Sequence, residues 1–194
     1  MNALNQKIKD CEKNKKELET LAGDALPEDI IRYLDLLGYF EMPAAAKHHG
    51  AYVGGLYDHS KAVAEELINL TDKLELKWKR PESPIIIGFL HDLCKVYQYN
   101  INMDEKAEEG YTISYNRDNI VPGHGEASIY LIMEMEQRYP QFKLTAEEKA
   151  CIRFHMGAYV DQNEWKTLNT AIKKYPNIIY THLADMIASQ IRNI

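Results

Sequence analysis

The segment SPIIIGFLHDLCKV, residues 83–96, limits the fold more tightly than any other part of the sequence. Ser83 is a helix N-cap and Pro84 suits the first helical position. The residues that follow, from Ile85 to Leu90, are apolar on every side of a helix. Such a helix is buried all round, so a core has to be assembled about it. A helix over Ile85–Val96 then delivers His91 and Asp92 into that core. Lys95 lies four residues after His91 and three after Asp92, which puts it on their face. Ionisable groups carried into a core need charged or ligated partners, and the rest of the chain must supply them.

Most of that chain also reads as helix. Residues 3–21 are Lys/Glu-rich, with sparse apolar positions at Leu4, Ile8, Cys11, Leu18 and Leu21, as in a solvated or peripheral helix. Pro27 opens a second helical stretch through Ile30, Ile31, Leu34 and Leu37, and Gly38 ends it. FEMPAAAKHHGAYVGGLYDHS follows as a glycine-containing connection holding three histidines, and helical periodicity resumes over Ala62–Leu74. Tyr97–Ile101 and Tyr111–Tyr115 alternate and are tyrosine-rich, which predicts two short strands around the loop MDEKAEEG. Gly123–Tyr139 is helical after a PGHG turn. Thr145 and Glu148 form a capping box that begins a helix running through His155. A last helix is expected over Asn177–Ile191. No linker, repeat or low-complexity tract divides the sequence. The expectation is an all-α helical bundle with a small β-hairpin insertion, a single domain over 1–194. Its N-terminal helices lie in 1–40, and its core lies in 41–194 with the hairpin near 97–115.

Composition narrows the function. With 194 residues, 45% hydrophobic and 27% charged, the chain has the balance of an ordinary globular domain. A net charge of −6 disfavours long polyanions as partners. Three cysteines (Cys11, Cys94, Cys151) without a CxxC pair argue against a disulfide framework and for a reducing compartment. The start of the sequence is polar and no apolar run approaches a membrane span. A cytoplasmic location with no membrane partner is expected.

Of seven histidines, His59, His91, His124 and His155 fall on different predicted helices or helix starts, roughly thirty residues apart, about one helix and its connection. Asp92 and Asp185 join them. Imidazole and carboxylate together suit Mn, Fe, Co, Ni or Zn. His91 and Asp92 can reach one ion from a helix end, and the second oxygen of Asp92 can bridge to another. Two ions about 4 Å apart suit the in-line displacement of a phosphate ester. Lys95 is placed to hold a phosphate oxygen as a point charge. Each position has a plainer reading: a hydrogen-bonded core histidine, a solvated lysine, and for Cys94 a small core residue.

The ordered set His59, His91-Asp92, His124, His155 and Asp185 resembles the signature H…HD…H…H…D of the HD-domain metal-dependent phosphohydrolases. The resemblance covers roughly residues 40–190. GGLYDHSKAVAEE is similar to the family's segment around its first histidine. PAAAKHHGAYVGGLYDHS is particularly similar to the catalytic domain of bacterial HD-class 3′–5′ exoribonucleases. The resemblance implies an HD-domain helical bundle in which His59, His91, Asp92 and Asp185 hold a first metal, Asp92 bridges, and His124 and His155 complete a second. It implies that Asp92 and Lys95 are catalytic, with Lys95 on phosphate. His48 and His49 either line the substrate pocket, as in the similar segment, or cap a loop. His182, three before Asp185, supports the site or packs beside it. The chain departs from the pattern at FHMG, where some related enzymes carry a second consecutive histidine and this one has Met156. One ion and two ions are both compatible with that.

The exoribonucleases also carry an added nucleic-acid-binding domain, for which these 194 residues have no room. The expected activity is therefore hydrolysis of a phosphomonoester or phosphodiester in a small nucleotide or short oligonucleotide by metal-activated water. The expected cofactor is one or two divalent transition ions (Mn, Fe, Ni, Co or Zn). Two alternatives use the same ligands: a di-iron oxygenase, and a non-catalytic sensor of nucleotide or metal.

Overall fold

The computed structural model of the chain describes residues 3–47, 50–119 and 123–194. Among these lie eight α-helices: α1 (Ala3–Ala22), α2 (Glu28–Leu36), α3 (Gly55–Leu74), α4 (Ser83–Leu90), α5 (His124–Arg138), α6 (Ala146–Arg153), α7 (Trp165–Lys174) and α8 (Asn177–Met186). Two antiparallel strands, β1 (Tyr99–Met103) and β2 (Tyr111–Tyr115), form a hairpin that pairs Tyr99 with Tyr115 and Met103 with Tyr111. The fold is all-α with a hairpin insertion, as expected. No helix among the described residues is long and apolar enough to cross a membrane.

The apolar character of α4 dictates its place. Every residue in it except Ile85 is buried. It crosses α3 so closely that a Cβ on Gly88 would stand 2.4 Å from the Cα of Ala64. That crossing sets the distance between His59 on α3 and His91 at the end of α4. Gly88→Ala is expected to lower stability by about 2 kcal/mol, because forced overpacking outweighs the gain in helix propensity. A lower urea midpoint at unchanged slope would report it, and an unshifted midpoint would show that the crossing relaxes freely.

A buried acidic clamp joins the first turns of α4, α6 and α8. Glu148, fully buried, accepts hydrogen bonds from Arg80 Nε (2.6 Å) and Nη2 (2.8 Å), Ser83 Oγ (2.7 Å) and the Thr145 amide (2.7 Å). The Glu148 amide in turn donates to Thr145 Oγ1, which completes the expected capping box. Beside it Glu147 accepts from the Lys79 amide (3.1 Å) and from Asn177 Nδ2 (3.0 Å). The three helices therefore start at one place. They have eight, eight and ten residues, so they run in the same direction for roughly 12–15 Å and end near one another. Their far ends carry His91-Asp92, His155 and Asp185. α3 and α5 begin where those helices end, with His59 in the second turn of α3 and His124 as the first residue of α5. A Cβ on Gly125 would lie 1.9 Å from the Arg153 carbonyl oxygen, so α5 sits directly against the end of α6.

Several expected boundaries shift. α3 starts at Gly55 rather than Ala62, so His59 belongs to the helix and not to the connection. Gly54 lies in the turn before α3 with a left-handed φ of 91°, and Gly55, the first helical residue, packs against the Gly50 carbonyl, where any side chain would collide. α4 stops at Leu90, and Leu93–Tyr97 forms a 3₁₀ turn where α-helix was expected to Val96. β1 starts two residues later than expected, α6 stops at Arg153, and α8 stops at Met186 before a π-helical turn over Ile187–Ile191. α7 was not foreseen. Its apolar residues, Trp165, Leu168, Ala171 and Ile172, recur at helical spacing, so the periodicity was present in the sequence, although Leu168 alone in it is fully buried.

Candidate metal centre

Asp92 is the hub. The α-helix ends one residue before His91, and Asp92 has left helical geometry (φ −109°, ψ 25°). In the 3₁₀ turn that follows, side chains at i and i+3 eclipse. Lys95 consequently sits over Asp92, with Nζ 2.7 Å from Asp92 Oδ2. The unforeseen 3₁₀ turn thus makes this pair closer than an α-helix would.

Four histidines surround the Asp92 carboxylate. His91 Nε2 lies 3.4 Å and His59 Nε2 3.6 Å from Oδ2; His155 Nε2 lies 3.5 Å and His124 Nδ1 3.7 Å from Oδ1. His59 Nε2 is also 3.3 Å from Asp185 Oδ1 and 3.3 Å from His91 Nε2. All six expected metal ligands are therefore gathered in one cluster. His59, His91, Asp92 and His155 are buried, Asp185 nearly so, and His124 is about one third exposed.

Backbone carbonyls orient three of the rings. His91 Nδ1–H donates to the Gly88 carbonyl (2.9 Å), His155 Nδ1–H to that of Ile152 (2.7 Å), and His59 Nδ1–H to that of Ile194 (3.0 Å). With the proton on Nδ1, a ring directs its Nε2 inward, the arrangement of a metal-ligating histidine. His182, expected near the site, donates from Nδ1 to the His155 carbonyl (2.8 Å) and braces that backbone.

These contacts are poor as hydrogen bonds and good as the edges of a coordination shell. Asp92 Oδ1, His124 Nδ1 and His155 Nε2 are buried with no hydrogen-bond partner. A four-coordinate ion with ligands at about 2.0–2.2 Å separates its donors by roughly 3.3–3.6 Å. The closest donor pairs in the cluster are separated by 3.3 to 3.7 Å. Donors of three groups, His59–His91–Asp185, His91–Asp92–His155 and Asp92–Cys94–His124, lie within 4.8 Å of one another. The cluster is thus one that can hold a metal ion.

Its electrostatics call for positive charge. Burial pushes the Asp92 carboxyl up, but Lys95, His91, His124 and His155 outweigh it and hold the group ionised, well below the usual range. Asp185 behaves likewise: burial is overcome by His59, His91 and His155. Burial keeps His91 neutral by lowering its pKa. The Asp92 carboxylate and then the Cys94 thiol beside it raise His124 to about 9. For Lys95, burial is overcome by Asp92, which keeps the ammonium charged. Two ionised carboxylates at this depth draw cations to the imidazoles, protons or metal alike.

A cavity of about 290 Å³ opens on the cluster. Its polar wall is His59, Asp92, Lys95, His124, His182 and Asp185, and Met156, Tyr159 and Met186 form an apolar side. A second cavity of about 350 Å³, around Arg153 and Glu126, shares His124, Met156 and Tyr159 with it. Arg153 is committed to Glu126 and Glu164. His48 and His49 lie outside the described residues. The sequence reading treated Cys94 as packing only, and it did not foresee the three carbonyls that fix the rings. Nothing in residue type marks a carbonyl acceptor.

Comparison with protein-family models, with curated proteins and with solved structures gives no match. The functional reading rests on the residues themselves.

Proposed function

We propose that the chain is a metal-dependent phosphohydrolase of the HD type, acting on a phosphomonoester or phosphodiester of a small nucleotide or short oligonucleotide. The observation that carries this is the convergence of His59, His91, His124, His155 and Asp185 on Asp92, with three Nε2 atoms turned inward by carbonyls. His59, His91, Asp92 and Asp185 would hold one divalent transition ion. Asp92 Oδ1, His124 and His155 would hold a second. A bound ion of this kind acts as a Lewis acid toward a phosphoryl oxygen and lowers the pKa of coordinated water.

The protein's own contribution is placement and charge. Asp92 joins the two ligand sets through its two oxygens. Lys95, on the cavity wall and kept charged, offers an ammonium to a phosphate oxygen and neutralises charge as the ester bond breaks. The same lysine favours an anionic substrate over oxygen chemistry on this ligand set. Met156, Tyr159 and Met186 supply a wall suited to a sugar or base rather than to a polyanionic backbone.

Two measurements test the reading. Chelator-treated protein should gain thermal stability on addition of Mn²⁺, Co²⁺ or Zn²⁺, about 2.7 kcal/mol at a hundredfold excess over the dissociation constant. That corresponds to roughly 5–10 °C for a chain of this size. The metal-loaded protein should hydrolyse at least one member of a panel of nucleoside phosphates and a generic phosphodiester. Stabilisation without any hydrolysis would leave a metal-binding sensor, and neither effect would overturn the proposal.

A further inference from the structure

Cys94 occupies a position that the ligand set above leaves unused. It lies two residues after Asp92 in the 3₁₀ turn, is 5% exposed and is a free thiol. Its amide donates to Ser128 Oγ (3.1 Å), which ties the turn to α5 immediately beyond His124. Its Sγ, an Asp92 carboxylate oxygen and a His124 ring nitrogen all lie within 4.8 Å of one another. Two of the groups beside it, Asp92 Oδ1 and His124 Nδ1, are buried without hydrogen-bond partners, and so is His155 Nε2 on the other side of that oxygen. A small core residue accounts for the burial of Cys94. It does not account for a sulfur set within 4.8 Å of a buried carboxylate oxygen and a buried ring nitrogen that make no hydrogen bond.

We propose that Cys94 supplies a thiolate to the metal position formed by Asp92 and His124, which makes that position a mixed sulfur, nitrogen and oxygen site. The inference rests on the metal-centre reading given above. Coordination would replace the S–H bond by a metal–sulfur bond and release the proton to solvent, with no oxidant or reductant involved. A tetrahedral ion with its sulfur at about 2.3 Å and its nitrogen and oxygen ligands at 2.0–2.2 Å requires donor separations of roughly 3.5 Å, inside the 4.8 Å that bounds the Asp92, Cys94 and His124 donors. The chemistry of the donors has a consequence for the choice of ion. Thiolate and imidazole favour Zn²⁺, Co²⁺ or Fe²⁺ over Mg²⁺ and Mn²⁺, which prefer oxygen. The two halves of the centre would then differ in kind: His59, His91 and Asp185 on one side, and a softer set containing sulfur on the other.

Cobalt reports both halves separately. The full chain, stripped with chelator and titrated with Co²⁺, should develop visible d–d bands and a near-ultraviolet thiolate-to-cobalt charge-transfer band. Cys94→Ser and Cys94→Ala should abolish the charge-transfer band, retain d–d absorption from the other position, and weaken binding of the second equivalent about 10–100-fold. Cys11→Ser and Cys151→Ser, which change the other two cysteines, should leave the band intact. Retained d–d absorption shows that a Cys94 variant is folded. Wild-type d–d bands with no charge-transfer band, or a band that survives in both Cys94 variants, would overturn the role of Cys94 and leave the metal centre standing. No cobalt absorption at all would overturn both.

Discussion

Asp92→Asn is expected to reduce bound metal to background and to slow hydrolysis by about 10³-fold or more, on the order of 4 kcal/mol in the barrier. The substitution keeps the shape of the side chain and removes the one charge on which the cluster converges. Asparagine offers a single, weaker oxygen donor, so the contact shared by the two ligand sets is lost together with the charge that holds the histidines in place. The change also leaves the buried Lys95 ammonium without the carboxylate 2.7 Å away. Lys95 would then adopt the neutral form that burial favours. Lys95→Met provides the contrast. It should retain metal and lose hydrolysis, because its charge faces the cavity and ligates nothing. Elemental analysis and turnover on the same preparations separate the two. Full metal content in Asp92→Asn would remove this residue from the centre.

Glu148→Gln should destabilise the fold by about 3 kcal/mol, roughly 6–12 °C in Tm, without touching a single metal ligand. Glutamine at this position retains one acceptor oxygen for the Arg80 guanidinium, the Ser83 hydroxyl and the Thr145 amide, which now share two. The pH dependence gives the test its sign. Burial pushes the Glu148 carboxyl up, but Arg80, the Thr145 amide and Ser83 outweigh it and hold it below its ordinary 4.5. A carboxyl depressed in the native state takes up its proton more readily when unfolded. Its stabilisation is present above pH 4.5 and is lost as pH falls through the lower, native-state value. The difference in stability between wild type and Glu148→Gln should therefore be largest near neutrality and shrink below pH 4.5. A difference constant across that range would show that the effect is steric. Equal stability of the two proteins at pH 7 would show that the clamp is not what holds the helices together.

The parts of this molecule that were readable in its sequence are those governed by local chemistry. Thr145 and Glu148 spell a capping box because both bonds close within four residues. Ser83-Pro84 marks the start of α4, but Ser83 is not the N-cap it reads as: Glu82 holds that place, Ser83 is the first helical residue, and its hydroxyl donates to the distant Glu148. The six residues of the cluster were legible as an ordered set, His59, His91-Asp92, His124, His155 and Asp185, rather than one by one, since any single buried histidine reads equally well as a hydrogen-bonded core residue. What escaped is set by distant partners. Gly54 and Gly55 read equally well as a turn and as a place of close backbone approach; Gly54 is the turn and Gly55 the close approach, because the Gly50 carbonyl that excludes a side chain at Gly55 is not apparent from the residues alone. The α-helix ending at Leu90 was read through to Val96 because LCKV carries no breaker. Its tightening follows from the inward turn of Asp92. The roles of Glu147 and Glu148 beyond capping escaped as well, since their partners lie thirty to seventy residues away in Asn177, Lys79, Arg80 and Ser83. Cys94 was read as packing because cysteine suits a core, and only its neighbours indicate otherwise.

The common direction of α4, α6 and α8 has an electrostatic consequence independent of any titrating side chain. Each helix carries a dipole equivalent to about half a negative charge at its C-terminal end. The ends of α4 and α6 converge beside Asp92, with the last α-helical turn of α8 next to them before it passes into the π-helical turn, while α3 and α5 present the opposite, positive ends through the turns that bear His59 and His124. The backbone alone thus makes one side of the centre attractive to cations and hostile to phosphate. For the phosphohydrolase proposed above, an anionic substrate would meet a field of the wrong sign there until a bound cation, with Lys95, reversed it. Under that proposal the direction of these short helices would set the order of assembly: cation first, phosphate after.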